Sequence, residues 1–506
     1  MKIFNAAQIQ KWDAFTIEEQ KITSLDLMER AATACFHWIV QNIPLENRTL
    51  CFFCGVGNNG GDGLVMARKF FEQGYTVCVY IVHFSSKSSQ DFDKNLKRLI
   101  DLKVVVNHLR SNDFQFELGT NDLLIDAIFG TGISREVTGF TAKIIQAIND
   151  SRKEIISIDM PSGLPTESLL TKEQMVIKAS KTLTFQSPKL NLLFPDYAKF
   201  SGDMKIIDIG LSEKYVSLEP TTIFYSDFEL VNSFYKKRRR FDHKGTFGHS
   251  LIIGGSYGKI GAVVLSMKAA LRIGSGLATA FVPKCGYDIL QTSVPEGMVE
   301  VDSDFQLVHF NFKVNPSVIG IGMGMGTSDM TSEGFLRFLK HNTVPLVIDA
   351  DGINILSRNT DYLDRLPPET ILTPHPKELE RLIGKWSDDY EKIDLLTKFS
   401  EKYNCILVNK GANTLVVYKQ NKYFNSTGNP GLAKGGSGDV LTGMITGLLA
   451  QKYKPVVAAI MGVYLHGKAA DYALENGLCE ESLIASDVIQ YLSNAFADFS
   501  SKTTKK

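Results

Sequence analysis

Residues 50–63 read LCFFCGVGNNGGDG: an apolar strand that runs into a glycine-rich turn and then into an amphipathic stretch. Residues 249–256, HSLIIGGS, repeat the same arrangement in the second half of the chain. From each of these points strand and helix patterns alternate, which predicts α/β layering around parallel strands. In the first half, helices are expected at 6–20, 24–42, 62–73, 89–100 and 140–149, and strands at 49–54, 76–82, 123–126 and 155–158. In the second half, strands are expected at 316–320, 345–348 and 405–408, and helices at 260–273, 438–451, 455–475 and 484–498.

Two such halves fit the length. The 506 residues exceed three times the roughly 150 residues of a typical domain, so at least two cores are expected. The junction is placed near 215, at the start of a stretch (211–248) without sustained helical period, giving domains 1–215 and 222–506. Fifty-five basic residues balance 55 acidic ones, which removes the electrostatic case for a nucleic-acid partner. The basic run 236–240, KKRRR, reads as a solvated face or a local anion site. With 44 % hydrophobic and 22 % charged residues and no apolar run near the roughly 18 of a membrane span, neither disorder nor a membrane partner is expected. Seven scattered cysteines and no signal-like N-terminus point to a reducing, cytoplasmic setting. Cys51 and Cys54 have redox-motif spacing, but residues three apart on a strand face opposite ways, so both read as buried small hydrophobes.

The first glycine turn contains a literal G-x-G-x-x-G, the dinucleotide fingerprint. The acidic residue expected about 20 positions further on is missing, since nothing between Gln73 and Gln90 is acidic, and an ordinary NAD dehydrogenase loses its support. What remains is a phosphate-friendly helix start with the amides Asn58 and Asn59 and the carboxylate Asp62 beside it. Two more polar turns follow later strands: Asp126 to Arg135, and Asp159-Met-Pro-Ser162-Gly. At the carboxyl ends of a parallel sheet all three would converge on one crevice, where Asp62, Asp126 and Asp159 could move protons or bind a cation and Arg135 could hold phosphate.

In the second half the turn Gly254 to Ile260 fails as a P-loop, because its glycines are too close and Ile260 stands where a hydroxyl should meet magnesium. Gly320-Ile-Gly322-Met-Gly is a further glycine turn. The strongest signal is 427–440, TGNPGLAKGGSGDV. A glycine nest opening into an apolar helix makes an anion hole, and Asp439 in its first turn can deprotonate or orient a hydroxyl during phosphoryl transfer. Asn409-Lys410-Gly-Ala-Asn-Thr414 offers a lysine and backbone donors for a nucleotide phosphate, and His375 sits between two prolines on the same rim.

Taken together these stretches resemble the bifunctional NAD(P)H-hydrate repair enzymes, an epimerase fused to an ADP- or ATP-dependent NAD(P)HX dehydratase of the ribokinase superfamily. The resemblance rests on LMERA at 27–31, GVGNNGGDG, Asp126 to Arg135, IDMPSGL, HKGTFGH at 243–249, the 254–262 turn, Asp349-Ala-Asp351, TPHPKE, NKGANT and GNPGLAKGGSGD, and covers essentially the whole chain. It implies two three-layer α/β/α domains, Rossmann-like and then ribokinase-like. For the epimerase it implies substrate contacts from Asn58, Asn59, Gly60, Gly61 and Asp62 and from Gly130, Thr131, Gly132, Ile133, Ser134, Arg135 and Glu136. It also implies a potassium ion on Asn59, Asp126 and Ser162, with Asp159 as the acid/base. For the dehydratase it implies substrate contacts from Ala262, Gly322, His375 and Asp439, and nucleotide contacts from Lys410, Gly411, Ala412, Asn413, Thr414 and Gly438. The implied chemistry is phosphorylation of the ring hydroxyl by ADP or ATP with magnesium, followed by loss of phosphate, with Asp439 activating the hydroxyl and the amides of 436–439 as anion hole. A homo-oligomer is expected. Ile321 and Lys377 depart from the proline and glycine usual in the family, which leaves the nucleotide open; the fused arrangement, as in the bacterial form, favours ADP. The alternatives are a vitamin or sugar kinase with an accessory first domain, and a first domain that only binds or oligomerises.

Overall fold

The computed structural model describes residues 1–111, 114–133, 136–171 and 173–501, the side chains of Ser500 and Ser501 excepted. The chain forms two units, Lys2–Thr221 and Thr222–Lys506, with Met1 belonging to the second.

The first unit holds seven parallel strands: β1 Leu50–Gly55, β2 Val77–Val82, β3 Val106–Leu109, β4 Leu123–Ala127, β5 Glu154–Ile158, β6 Lys181–Phe185 and β7 Asp203–Ile207. Their order is β3-β2-β1-β4-β5-β6-β7. The chain leaves β1 in one direction and returns on its other side at β4, so the switch point, where an open sheet gapes, lies between β1 and β4. Helices Ala6–Gln20, Ser24–Asn42, Asn58–Glu72 and Gln90–Asp101 contribute Trp12, Leu27, Leu64 and Phe92 to the core on one face, while Ile144, Ile145 and Ile148 of helix Gly139–Asp150 cover the other. Cys54 lies in the first core and Cys51 in the second, both as free, buried thiols on opposite faces of β1.

Helix Asn58–Glu72 starts four residues earlier than the apolar period suggests, so the asparagines belong to its first turn. Its glycines let it lie directly on β1. A Cβ on Gly60 would stand 1.7 Å from the Gly55 carbonyl oxygen, and one on Gly63 2.7 Å from Cys54 Sγ. Helix Glu213–Leu218 spans the expected junction. Tyr215 stacks on Trp12 at 6.1 Å and Lys2 Nζ donates to the carbonyls of Val216 and Glu219, so the first unit continues to Thr221.

The second unit holds ten strands: β8 Ile223–Ser226, β9 His249–Ile253, β10 Leu277–Val282, β11 Met298–Val301, β12 Val318–Ile321, β13 Leu346–Ile348, β14 Ile371–Leu372, β15 Ile406–Asn409, β16 Leu415–Tyr418 and β17 Asn421–Asn425. They are ordered β11-β10-β9-β12-β13-β14-β15-β16-β17-β8. The layer is not wholly parallel, as the sequence pattern suggested. β15, β16 and β17 form an antiparallel meander, because the connections between them are too short for a crossover. β8, within the stretch read as lacking a sustained helical period, pairs parallel with β17 at that edge. Helices Ile260–Arg272, Ser437–Ala450, Pro455–Glu475 and Ala485–Ser501 share one core.

Part of the basic run is used locally. Arg238 donates to the Gly274 carbonyl at 2.7 Å and stacks 3.8 Å from the Phe247 ring, and Lys236 donates to the Lys452 carbonyl at 3.0 Å. Both carbonyls follow helix C-termini, where cations are favoured. Among the described residues, no helix is long and apolar enough to cross a membrane.

Candidate active sites

In the first unit the carboxyl ends of β1, β4 and β5 enclose a cavity of about 600 Å³. Asn58, Asn59 and Asp62 line it from the first turns of helix Asn58–Glu72; Gly130, Thr131, Gly132, Ile133 and Glu136 line it from the loop after β4, and Asp159 from the end of β5. Gly60 and Gly61 do not line it: they pack on Gly55 and Met28, which is why no side chain fits there. Ser134 and Arg135 lie outside the described residues.

Asp159 adopts φ 66°, a left-handed conformation uncommon for a residue with a side chain and typical of functional turns. Its Oδ1 accepts from Lys189 Nζ at 2.6 Å and its Oδ2 from the Thr131 amide at 3.1 Å. Lys189 is 1 % exposed and also donates to Thr184 Oγ1 and the Phe185 carbonyl, both at 2.9 Å. Burial pushes Asp62 well above the usual carboxylate range, with Asp159, Asp13 and Asp91 adding to it. Asp13, on the first helix, also lines the cavity; burial and then the Asp159 charge push it up to about 7, against Lys189.

Asp126 and Ser162 lie behind the cavity wall. Ser162 Oγ donates to Asp126 Oδ1 at 2.5 Å, while the Ser162 amide and Ser157 Oγ serve Oδ2 at 2.8 and 2.7 Å. Ser162 Oγ in turn accepts from the Phe129 amide at 2.8 Å, which ties the loop after β4 to the turn after β5. Burial raises the Asp126 carboxyl, and the bonds from Ser162 and Ser157 and the Ile128 amide work against it. Among the described residues no cationic side chain pairs with Asp126. Asn59 donates Nδ2 to the Ile158 carbonyl at 3.2 Å, and its buried Oδ1 has no partner among the described residues. An orphaned amide oxygen and a buried carboxylate without a cation form a donor set that fits a hard monovalent ion such as potassium. No group of three or more His, Cys, Asp or Glu among the described residues is arranged to hold a metal.

In the second unit the nest, the lysine turn and the end of β13 meet. Gly436 caps helix Ser437–Ala450 with φ 91°, a conformation that favours glycine. Lys410 Nζ donates to Asp349 Oδ1 at 2.8 Å, and Thr442, on the same helix as Asp439, donates to Oδ2 at 2.8 Å. A Cβ on Gly438 would lie 3.2 Å from Lys410 Nζ and 3.7 Å from Asp349 Oδ2. Burial, followed by the charges of Asp349 and Asp351 against that of Lys410, pushes Asp439 up to about 6, near the range in which a general base works at neutral pH. The Ser437 amide is engaged with the Lys434 carbonyl at 3.4 Å, so it is largely the following amides of the first turn that face outward as donors. His466, 7 % exposed and held neutral by burial with its pKa down at about 4, approaches Ser437 Oγ at 3.4 Å.

Gly322, at φ 122°, leaves room for the Asp349 carbonyl, which a Cβ would meet at 2.0 Å, and Gly324 packs near Ala262. His375 turns out to be a helix cap. Its Nδ1 accepts from the Lys377 amide at 3.1 Å and its Nε2 lies 3.2 Å from the buried Glu378 carboxylate. The Lys410 amide donates to the Pro374 carbonyl at 3.1 Å, which joins the His375 and Lys410 turns. Thr414 Oγ1 accepts from the Gly411 amide at 3.3 Å and folds the lysine turn back on itself. Around Gly411 the backbone is open, and Ala412 is exposed.

Asp13, Lys189 and the Asp349 partnership with Thr442 are not evident from motif spacing. Asp13 lies in an ordinary amphipathic helix and Lys189 in a loop beyond β6. For Asp349, the DAD triplet directly after a strand is a usable signal.

Residues 24–191 match the family described as YjeF-related protein N-terminus, and residues 250–493 that described as NAD(P)H-hydrate dehydratase. The chain is 33 % identical to the bifunctional NAD(P)H-hydrate repair enzyme Nnr of Moorella thermoacetica, over 97 % of this chain and 96 % of that one. It is 32 % identical to that of Coxiella burnetii, over 97 % and 98 %. Among solved structures, an ADP/ATP-dependent NAD(P)H-hydrate dehydratase from Bacillus subtilis, co-crystallised with ATP and magnesium, aligns with TM-score 0.48 and 26 % identity over 55 % of this chain and all of that one.

Proposed function

The chain belongs to the family of bifunctional NAD(P)H-hydrate repair enzymes, and from that premise we propose how its two units divide the chemistry. It is an NAD(P)H-hydrate epimerase and dehydratase: the first unit interconverts R- and S-NAD(P)HX, and the second returns the S form to NAD(P)H. The kinase alternative is not favoured, because relatives bearing this name match 97 % of the chain, first unit included.

In the first unit the substrate occupies the cavity at the β1/β4 switch point, with its phosphates toward Asn58 and Gly130 to Ile133. Asp159, fixed by Lys189 and the Thr131 amide, is the acid/base facing the ring. Asn59, Asp126 and Ser162 would hold potassium, which would neutralise the buried carboxylate and stiffen the two loops joined through Ser162.

In the second unit Asp439 accepts the proton of the ring hydroxyl as its oxygen attacks the terminal phosphoryl group of ADP or ATP. Lys410, the turn to Thr414, and the backbone at Gly438 meet the nucleotide phosphates, and Ala262, Gly322 and His375 border the substrate. Asp351, and Asp349 beside its bonds from Lys410 and Thr442, would be the carboxylates that meet magnesium carried by the nucleotide, which usually takes only one or two from the protein. The phosphate then leaves the carbon beside the ring nitrogen as a proton leaves the neighbouring carbon, restoring the ring double bond. ADP is the preferred donor, and the protein works in the cytoplasm as a homo-oligomer.

The observation that carries this reading is the meeting of Lys410, Asp349, Gly438 and Asp439 at one helix start in the second unit, and in the first a cavity lined by Asp159. Mixed NADHX epimers with ADP and magnesium test it. All the absorbance of NADH should return; recovery of one epimer alone would leave only the second unit active, and recovery of neither would sink the assignment.

A further inference from the structure

Besides Asp159, the cavity of the first unit is lined by the carboxyl groups of Asp13, Asp62 and Glu136. Asp13 reaches it from helix Ala6–Gln20, a different element from the β5 end that carries Asp159. Among the described residues Asp13 makes no hydrogen bond and no ion pair, whereas Asp159 has both oxygens engaged, one by Lys189. A carboxyl group on a cavity wall, without a partner of its own, is available to a ligand there.

Resting on the reading of this unit as the epimerase, we propose that Asp13 is the general acid of epimerisation and Asp159 its complementary base. Hydration of a ring double bond next to nitrogen places the new hydroxyl on the carbon attached to that nitrogen, a carbinolamine. Inverting that carbon requires the hydroxyl to leave and water to return on the other face. Asp13 protonates the hydroxyl, the carbon–oxygen bond breaks with its electron pair going to the departing water, and the nitrogen lone pair forms the carbon–nitrogen double bond. Water then adds to the opposite face and Asp159 takes its proton. One water leaves and one enters, one proton is given and one taken, and solvent exchange resets the two carboxyl groups. The environment matches the roles. Burial and the neighbouring Asp159 charge raise Asp13 to about 7, against Lys189; burial also raises Asp62, which is the more enclosed of the two.

The test uses the full chain with Asp13→Asn, and the dehydratase activity of the same molecule reports whether it folded. Epimerase kcat should fall by about 10²-fold or more. KM should stay within about threefold, the dehydration of the S form should be unchanged, and the wild-type decline in epimerase kcat above about pH 7 should disappear in the variant. Epimerase kcat within about threefold of wild type, or an unchanged alkaline limb in the variant, would overturn the assignment. A loss confined to KM would likewise overturn it, since that describes a positioning residue. A wild-type chain without epimerase activity would instead remove the reading on which the proposal rests.

Discussion

Lys189 Nζ lies 2.6 Å from Asp159 Oδ1, with the lysine side chain 1 % exposed and the aspartate 9 %. Removing one partner of such a pair strands a buried charge at a cost of about 3–5 kcal/mol, whereas removing both costs much less. Lys189→Met is therefore expected to lower the thermal midpoint of the first unit and abolish epimerisation. The double variant with Asp159→Asn should recover most of the stability and none of the activity. Thermal unfolding with an epimerase assay on the three variants checks this, and equal destabilisation of single and double variants would contradict it.

Asp439 should show its environment in the pH profile. Its carboxyl is raised to about 6, so it is the charged base above that pH and neutral below it, and dehydratase kcat should fall as pH drops through about 6. Asp439→Asn should remove about 10²–10⁴-fold of kcat and leave epimerisation intact. A folded pKa raised above the unfolded value also means the carboxyl favours folding below the unfolded value and loses that contribution as pH rises through about 6. The asparagine variant should therefore melt at a slightly higher temperature than wild type at pH 7.5, and calorimetry at pH 7.5 and 5 separates the two effects.

Gly438→Ala tests the anion hole without straining the backbone. The added methyl would stand 3.2 Å from Lys410 Nζ, the far end of a flexible side chain, so the lysine must shift. The expected result is a rise of about tenfold in the nucleotide KM or Kd, equivalent to about 1.4 kcal/mol, with an unchanged thermal midpoint. Titration of the variant with ADP and ATP reads it directly.

Potassium should stabilise the first unit. Exchange of potassium for a bulky organic cation is expected to lower its thermal midpoint and its epimerase rate, because Asn59 Oδ1 and the Asp126 carboxylate are left without a cation. Asp126→Asn should make the midpoint indifferent to potassium. A variant that still responds would place the ion elsewhere.

The parts of this architecture that obey local rules are legible in the sequence. The strand-to-glycine-to-helix passages at 50–63 and 249–256 announce both α/β layers, and the convergence of Asn59, Gly130 and Asp159 on one cavity follows from where parallel strands end. Short or edge strands were hidden: β14 has two residues and β8 four, too few for a period to show. The meander β15 to β17 looks like any pair of apolar runs until its turn lengths are weighed. Asp13 and Lys189 are invisible for another reason. Their importance comes from neighbours 146 and 30 positions away along the chain, and no spacing rule reaches that far. His375 shows the converse, a residue with a motif's appearance whose ring also serves as a helix cap.

The pairing of β8 with β17 has a kinetic side. Residues 223–226 meet 422–425, so the edge of the larger sheet is completed only after almost 200 further residues have been synthesised. Everything in the first unit's sheet, by contrast, is on hand once Ile207 has emerged. Synthesis from the N-terminus thus lets the first unit fold while the second is still assembling, and leaves Ile223–Ser226 without its β17 partner during that interval. With Ser226 already buried in the finished molecule and Asp227 capping the next helix, that strand is short and bounded by polar groups, which limits its capacity to recruit a stray partner while it waits.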